Sequence, residues 1–339
     1  MKILTAEFKA VLAGMRVMKP EKISVGVVGG HLALASKHVR VNLTRLTGNC
    51  VTENPREIDF PKSSLFKGKE IEVTFEENSV RFANVRIAST PIDEYHFCGT
   101  DLSTTPQILG SASKCVPALE FIQKSVSWDL TRPHLNMLLI DEKNIVSTDG
   151  HRMHWVKHHR KKFTPCKIHG ELNCIFINLK KLYGDSDTVR VAENQIEVSD
   201  NIWISSLGDR WNCNVDHDFP PYDQVIPKSH DFEWQAEIKV FDAALKQLDS
   251  KATPGQLVIR PIDKTTVEFT QKVNNFELCA TVDIGKELKN PLSYNIGYLV
   301  DALSRRDKMQ LIRWRFQGPL DPLVITDGDY SALVMPRRI

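Results

Sequence analysis

Four histidines, His151, His154, His158 and His159, crowd one short stretch of the chain, with Asp149 just ahead of them. Imidazole and carboxylate are the groups that hold a catalytic divalent metal, so this stretch is the place to look for metal-assisted hydrolysis. The spacing argues against it. On a strand, His151 and His154 are an odd number of residues apart and point to opposite faces. His158 and His159 lie among Lys157, Arg160, Lys161 and Lys162, whose charge repels a cation. Ligands must converge on one ion at about 2 Å, which makes a metal-dependent hydrolase a poor reading. Gly29-Gly30 is followed by His31-Leu32 and not by a lysine–serine pair, so no phosphate loop is expected. Seven cysteines stand singly at Cys50, Cys98, Cys115, Cys166, Cys174, Cys213 and Cys279. An odd number without short paired spacings fits neither a disulfide framework nor a zinc site, and reduced, mostly buried thiols are expected. The residues therefore suggest no catalytic group, no metal and no cofactor.

The remaining chemistry is basic, and it recurs with the helices. Apolar residues at helical spacing mark six short helix candidates roughly 55–60 residues apart, a repeat of pattern and not of words. Phe8, Val11, Leu12 and Met15 mark the first. A weaker second spans 61–67 with Leu65 and Phe66. The third starts at Pro117, a natural first helical position, and carries Leu119, Ile122 and Val126. The fourth follows Asn178 with Leu179, Leu182 and Tyr183, the fifth has Phe241, Ala244, Leu245 and Leu248, and the sixth Leu299, Ala302 and Leu303. Lys9 and Arg16, Lys62 and Lys67, Lys124, Lys180 and Lys181, Lys246 and Lys251, and Arg305 with Arg306 belong to these candidates or their ends. Lysine solvates any exposed helix. Six such helices along one surface would instead make a sequence-blind track for phosphates.

Between the helices lie alternating or β-branched runs, at 23–28, 32–35, 39–43, 71–75, 80–83, 189–192, 196–198, 257–259, 267–270 and 276–282, separated by polar hairpin turns. Each unit reads as one helix with three or four antiparallel strands. Paired two by two, the units give an α+β chain of three similar domains, at 1–102, 103–228 and 229–339, each with two helices. The 339 residues, 42% hydrophobic and 25% charged with a net charge of +2, suit such a soluble protein and leave DNA binding to charge distribution. No apolar run is long enough to span a membrane. Glu7 and Lys9 interrupt the one stretch that resembles a signal peptide, so a cytoplasmic protein is expected.

Three stretches resemble one family. RPHLNMLLID from Arg132 is followed by IVSTDGHRM ending at Met153; DFPPYDQVIPK begins at Asp218; and ALVMPRRI ends the chain at Ile339. Their order, spacing and content resemble the beta sliding clamp of bacterial replicative polymerases, with its L-N strand, T-D-G-H-R turn, F-P-x-Y-x-x-V-x-P segment and V-M-P tail. The stretch Asn295 to Leu303, with its leading N-x-x-Y, is similar to that family's last helix. The likeness is specific in the second and third domains and weak in the first.

The resemblance implies three clamp domains per chain and a homodimer closed head to tail into a ring. The ring surrounds double-stranded DNA, helices inward, and tethers the replicative polymerase, the clamp loader and other partners carrying clamp-motif peptides, without an active site of its own. It places the partner-peptide site at Leu135, Thr148, Gly150, His151, Arg152, Met153, Pro220, Gln224, Val225, Asn295, Tyr298, Val334, Met335, Pro336, Arg337 and Arg338. DNA contacts are expected at Lys19, Arg132, His134, Lys124, Lys180, Lys181, Lys246 and Arg305, and the dimer edge around Ile87 at 86–89. The chain departs from the pattern at Gln224, where arginine is usual, at Met137, where glycine is, and at Arg337, where an apolar residue is frequent. A clamp-like scaffold that does not encircle DNA is the alternative.

Overall fold

The computed structural model describes residues 2–16, 19–28, 31–35, 39–42, 52–92, 105–160, 162–180, 182–198, 202–206, 218–248, 255–304 and 311–339. Short strands dominate, and each α-helix follows directly on a strand. In the first hundred residues β1 (Lys2–Leu4) leads into α1 (Thr5–Met15), followed by β2 (Lys22–Val28), β3 (His31–Ala35), β4 (Val39–Asn42), β5 (Thr52–Asp59), β6 (Glu70–Glu76), β7 (Ser79–Phe82) and β8 (Val85–Pro91). Next come β9 (Gln107–Ser111), α2 (Ala112–Gln123), β10 (Met137–Ile140), β11 (Asn144–Thr148), β12 (Arg152–Lys157), β13 (Cys166–His169), α3 (Gly170–Asn178), β14 (Thr188–Ala192), β15 (Gln195–Val198) and β16 (Ile202–Ser206). The last third holds β17 (Phe232–Glu237), α4 (Ile238–Leu245), β18 (Gln256–Pro261), β19 (Thr266–Val273), β20 (Phe276–Asp283), β21 (Leu292–Asn295), α5 (Ile296–Ala302), β22 (Leu311–Phe316), β23 (Leu323–Asp327) and β24 (Tyr330–Val334).

The chain divides into two compact units. The first comprises Met1–Gln123, Met137–Glu142 and Arg160–His217, and the second Lys124–Asn136, Lys143–His159 and Asp218–Ile339. A 12-stranded sheet runs through the first unit in the order β1-β6-β7-β8-β5-β2-β3-β4-β16-β15-β14-β9, with β4 and β16 joined antiparallel, Val41 opposite Ile204. Phe8 of α1, Phe66 and Phe82 form an aromatic core there, with ring centroids 5.0 to 5.6 Å apart. Gly14 lets α1 lie close to the end of α3, since a Cβ there would come within 3.0 Å of Leu179. The second unit carries the antiparallel run β11-β12-β24-β23-β22-β17 and a separate sheet β20-β19-β18-β21. Trp234, Phe241 and Trp314 pack together in its core, Phe241 stacked on Trp314 at 4.4 Å.

Four of the six helix candidates coincide with α-helices, the second and fourth do not, and the third begins earlier than expected. The second candidate is only a 3-10 turn, Ser63–Leu65, with Leu65 exposed and Phe66 buried. Here the core needs one aromatic side chain and no amphipathic face. α2 begins at Ala112, so Pro117 lies inside the helix and not at its start. Ala112, Cys115, Leu119 and Ile122 are all buried, and this continuous stripe outweighs proline's penalty of about 3 kcal/mol. α3 ends at Asn178, where a helix was expected to begin. Its buried stripe is Leu172, Ile175 and Phe176, and Tyr183 beyond it stacks on Phe176. Two β-branched residues, Ile175 and Ile177, stand in the last turn of this helix.

Candidate functional site

The proposed peptide-site residues all fall in the second unit. Their foundation is the β11–β12 hairpin, turned by Asp149-Gly150. Gly150 sits at φ +87°, a conformation that side chains with a Cβ resist. Asp149 fixes the turn. Its Oδ1 accepts from the backbone N–H groups of His151 (2.9 Å) and Arg152 (3.0 Å), while Thr148 Oγ1 donates to the Arg152 carbonyl at 2.7 Å. The space above Gly150 is bounded by Arg132 and Leu135: a Cβ at Gly150 would lie 3.6 Å from the Arg132 guanidinium and 4.0 Å from Leu135.

β12 passes this geometry to the tail. β24 pairs with it, Arg152 opposite Val334 and Met153 opposite Leu333. Beyond the strand, the Met335 N–H donates to the His151 carbonyl at 2.9 Å and the Arg337 N–H to the Ser293 carbonyl at 2.8 Å. Gln256 Nε2 then donates to the Arg338 carbonyl at 3.0 Å. Met335 is left 39% exposed beside the exposed His151. Asn295 stands at the head of α5, where its Oδ1 accepts from the N–H groups of Gly297 (2.9 Å) and Tyr298 (3.4 Å). It is an N-cap, so its role is to start the helix that presents Tyr298.

The DFPPYDQV segment closes another side. Phe219, Tyr222 and Ile226 pack on the buried cluster of Val146, Met153, Trp155, Val324 and Leu333. The Tyr222 hydroxyl accepts from Asn144 Nδ2 at 2.9 Å. A 3-10 turn, Tyr222–Val225, leaves Gln224 exposed and Val225 53% exposed, with Pro220 half-buried beside it. Val225 and Met335 are thus exposed apolar side chains of these segments, whereas Leu135 and Met153 are buried.

Arg152 is the hub of the site and is not free to meet a ligand carboxylate. Its Nε donates to Asp149 Oδ2 at 3.0 Å and its Nη1 to Asp301 Oδ2 at 2.5 Å. The guanidinium carbon lies 4.3 Å from the centroid of the Tyr298 ring. Asp301 also binds Lys124 at 3.1 Å. Burial and the Asp149 carboxylate push the Tyr298 phenol up from its ordinary value, so the hydroxyl stays protonated. Sequence reasoning missed Asp301, whose signal was its place one helical turn after Tyr298. It also offered Arg152 to the ligand, whereas the structure spends this charge on two carboxylates. Met137, one of the departures, pairs with His169 and is buried in the first unit.

The basic residues meet a common fate. Arg16 and Lys246 are C-cap residues of α1 and α4, Lys124 follows α2, and Lys180 lies just beyond α3. Cations at these ends complement the helix dipoles. Lys124, Lys180 and Lys246 each hold a carboxylate, of Asp301, Glu120 (3.0 Å) and Asp242 (2.9 Å). Lys19 is exposed at φ +49°, and His134 is half-buried in the 3-10 turn Pro133–Leu135. Lys181 and Arg305, like Lys251, Arg306, Cys50, Cys98 and Cys213, lie outside the described residues. Along β8, Val85–Ala88 pair with β7 and Ser89–Pro91 with β5, which includes the strand expected at the dimer edge. The histidine stretch separates as its spacing predicts, with His151 exposed and His154 fully buried. Among the described residues, no group of three His, Cys, Asp or Glu could hold a metal ion, and no helix is long and apolar enough to cross a membrane.

No protein-family model matches the sequence, and no curated protein matches it either. Solved structures do match over the whole chain. The DNA polymerase III beta subunit of Thermotoga maritima superposes with a TM-score of 0.77 at 16% identity, covering 100% of this chain and 99% of its own. The pol III beta of Caulobacter crescentus gives 0.76 at 13% identity, with coverages of 100% and 99%. The Helicobacter pylori beta clamp, solved with a DNA ligase peptide, gives 0.71 at 15% identity over the same shares. The fold is therefore that of a sliding clamp. Within that class it is the fold of the bacterial DNA polymerase III beta subunit, carried by a strongly divergent sequence.

Proposed function

We infer that this chain is a DNA sliding clamp, a processivity factor without catalytic activity. The observation that carries the reading is the end-to-end match to beta clamps, at TM-scores of 0.70–0.77 with no large part of either chain left over. Three clamp domains, at 1–102, 103–228 and 229–339, closing with a second copy into a ring in the cytoplasm, are the arrangement this fold suggests. Duplex DNA would be held by diffuse phosphate contacts from Lys19, Lys124, Arg132, His134, Lys180, Lys181, Lys246 and Arg305. Such contacts carry no base information and so permit sliding. The surface of Leu135, Gly150, His151, Val225, Tyr298 and Met335 would take short peptides of the polymerase, the loader and other partners. That reading is supported by its mixture of exposed apolar side chains and fixed turn geometry, and by the ligase peptide on the Helicobacter pylori clamp. Gln224, exposed on the rim, can hydrogen-bond but cannot pair with a carboxylate, so peptide preference should differ from that of an arginine-bearing clamp.

Solution X-ray scattering with absolute mass on the purified chain tests the reading. A mass of two chains and a distance distribution with the signature of a hollow ring are expected. A compact monomer at all concentrations would remove encirclement and leave a clamp-like scaffold.

A further inference from the structure

Where the linker after the Tyr222–Val225 turn crosses the sheet towards β17, a cavity of about 200 Å³ opens. Its apolar surface is Trp155 of β12, Phe316 of β22 and Val324 of β23, with Ile226 and Pro227 of the linker opposite. Three basic side chains, Lys157, Arg315 and His230, also line it, and among the described residues no acidic one does. Arg315 donates to Thr326 Oγ1 at 2.9 Å, but its Nε is buried without a hydrogen bond, 3.8 Å from Glu233 Oε2. That same Glu233 oxygen lies 3.1 Å from His230 Nε2. One carboxylate outside the cavity thus serves two of its three basic groups, and Lys157 projects exposed at the rim.

The cavity is lined by none of the residues assigned to peptide contact, although Trp155, Val324 and Ile226 belong to the packed cluster behind that site. Met153 of β12 lies towards that site, Trp155 and Lys157 towards this one, and Met153 and Lys157 are about 13 Å apart at the rise of a strand. A volume below the roughly 300 Å³ of small-molecule pockets suits one large side chain, not a cofactor. Positive charge in excess of that one carboxylate, over an aromatic floor, selects a ligand with both an apolar body and an anionic group. A phosphodiester backbone would satisfy the cations but leave the floor unfilled.

We propose that this cavity is a second docking site, taking an acidic–apolar segment of a partner protein. An aromatic or aliphatic side chain rests against Trp155 and Phe316, and a neighbouring carboxylate sits between Lys157 and Arg315. The proposal does not depend on the clamp reading. The test is fluorescence anisotropy with fluorescein-Gly-Gly-Glu-Phe-Glu-Leu and its counterpart with lysine in place of both glutamates, on the full chain. The acidic peptide should bind at least tenfold more tightly than the basic one. Lys157→Glu should weaken it tenfold or more, and Ser229→Trp, which fills the cavity from its exposed edge, should abolish binding. Both positions are exposed, and unchanged melting of the variants confirms their folding. Removing residues 335–339 should leave the affinity as it was. Equal affinity for the two peptides, indifference to either variant, loss on tail removal (which places the peptide in the first site), or binding of inorganic phosphate with none of the peptide would each overturn it.

Discussion

Replacing Arg152 by methionine keeps the length of the side chain and removes its charge, and the consequences can be worked out contact by contact. Arg152 is 13% exposed and donates to Asp149, 16% exposed, and to Asp301, 30% exposed. Hydrogen bonds to charged groups contribute about 1.5–3 kcal/mol each, and the Tyr298 ring adds about 1 kcal/mol. Stranding a fully buried partner costs about 3–5 kcal/mol. Here Asp149 keeps two backbone N–H donors and Asp301 keeps Lys124. The expected loss is therefore at the low end, about 3 kcal/mol, or a fall of about 6–12 °C in the melting temperature of a unit this size. Because part of that cost is an uncompensated carboxylate, adding Asp149→Asn should recover some of it, and the double variant should be more stable than the sum of the singles predicts. Arg152→Lys should be intermediate, since one ammonium cannot reach both acids with a planar fork. Calorimetry of the wild type, the two single variants, the double variant and Arg152→Lys decides the matter. A loss below about 1 kcal/mol with strictly additive effects would mean that this network is ornamental and that Arg152 remains available to ligands.

Two further outcomes follow from single residues. Asn295→Ala should cost about 1 kcal/mol by uncapping α5, while Asn295→Asp should cost little; equal melting of wild type and the alanine variant would show the cap to be idle. Glu171 sits in the first turn of α3 with Oε2 buried and unpaired, and burial pushes its carboxyl up from the ordinary 4.5 to about 7. The folded chain therefore holds a proton that the unfolded chain releases between those values, so stability falls as pH rises through this window and levels off above it. Glu171→Gln should raise the melting temperature more at pH 7.5 than at pH 4.5. A gain independent of pH would be at odds with the assignment.

The strands were the most readable part of the sequence, because alternation over a half-buried sheet has only one physical cause. β5 escaped notice, as Pro55 and its charged neighbours carry no alternation; it is held by pairing with β2. Helices were legible where the apolar stripe was clean, as in α1 and α4, and misplaced where proline or β-branched residues spoke against a helix that packing imposes. At the site, T-D-G-H-R and the V-M-P tail pointed to residues that the fold does join, Met335 on His151 and Val334 opposite Arg152. Roles were harder to read than positions. Nothing in the order of residues shows that Arg152 is consumed by Asp301, because that pairing spans 149 positions.

The same neutralisation recurs at the lysines, and it bears on how a clamp could hold DNA and still move. Lys124, Lys180 and Lys246 each lie at or just past a helix C-terminus with a carboxylate within 3.1 Å. A phosphate that engages one of them competes with that carboxylate for the ammonium. Exposed pairs of this kind contribute up to about 1 kcal/mol, so each ammonium has a weak partner to return to when a phosphate leaves. A barrier to stepping along the backbone arises only from contacts that are deep and unshared, and paired lysines of this kind do not supply them.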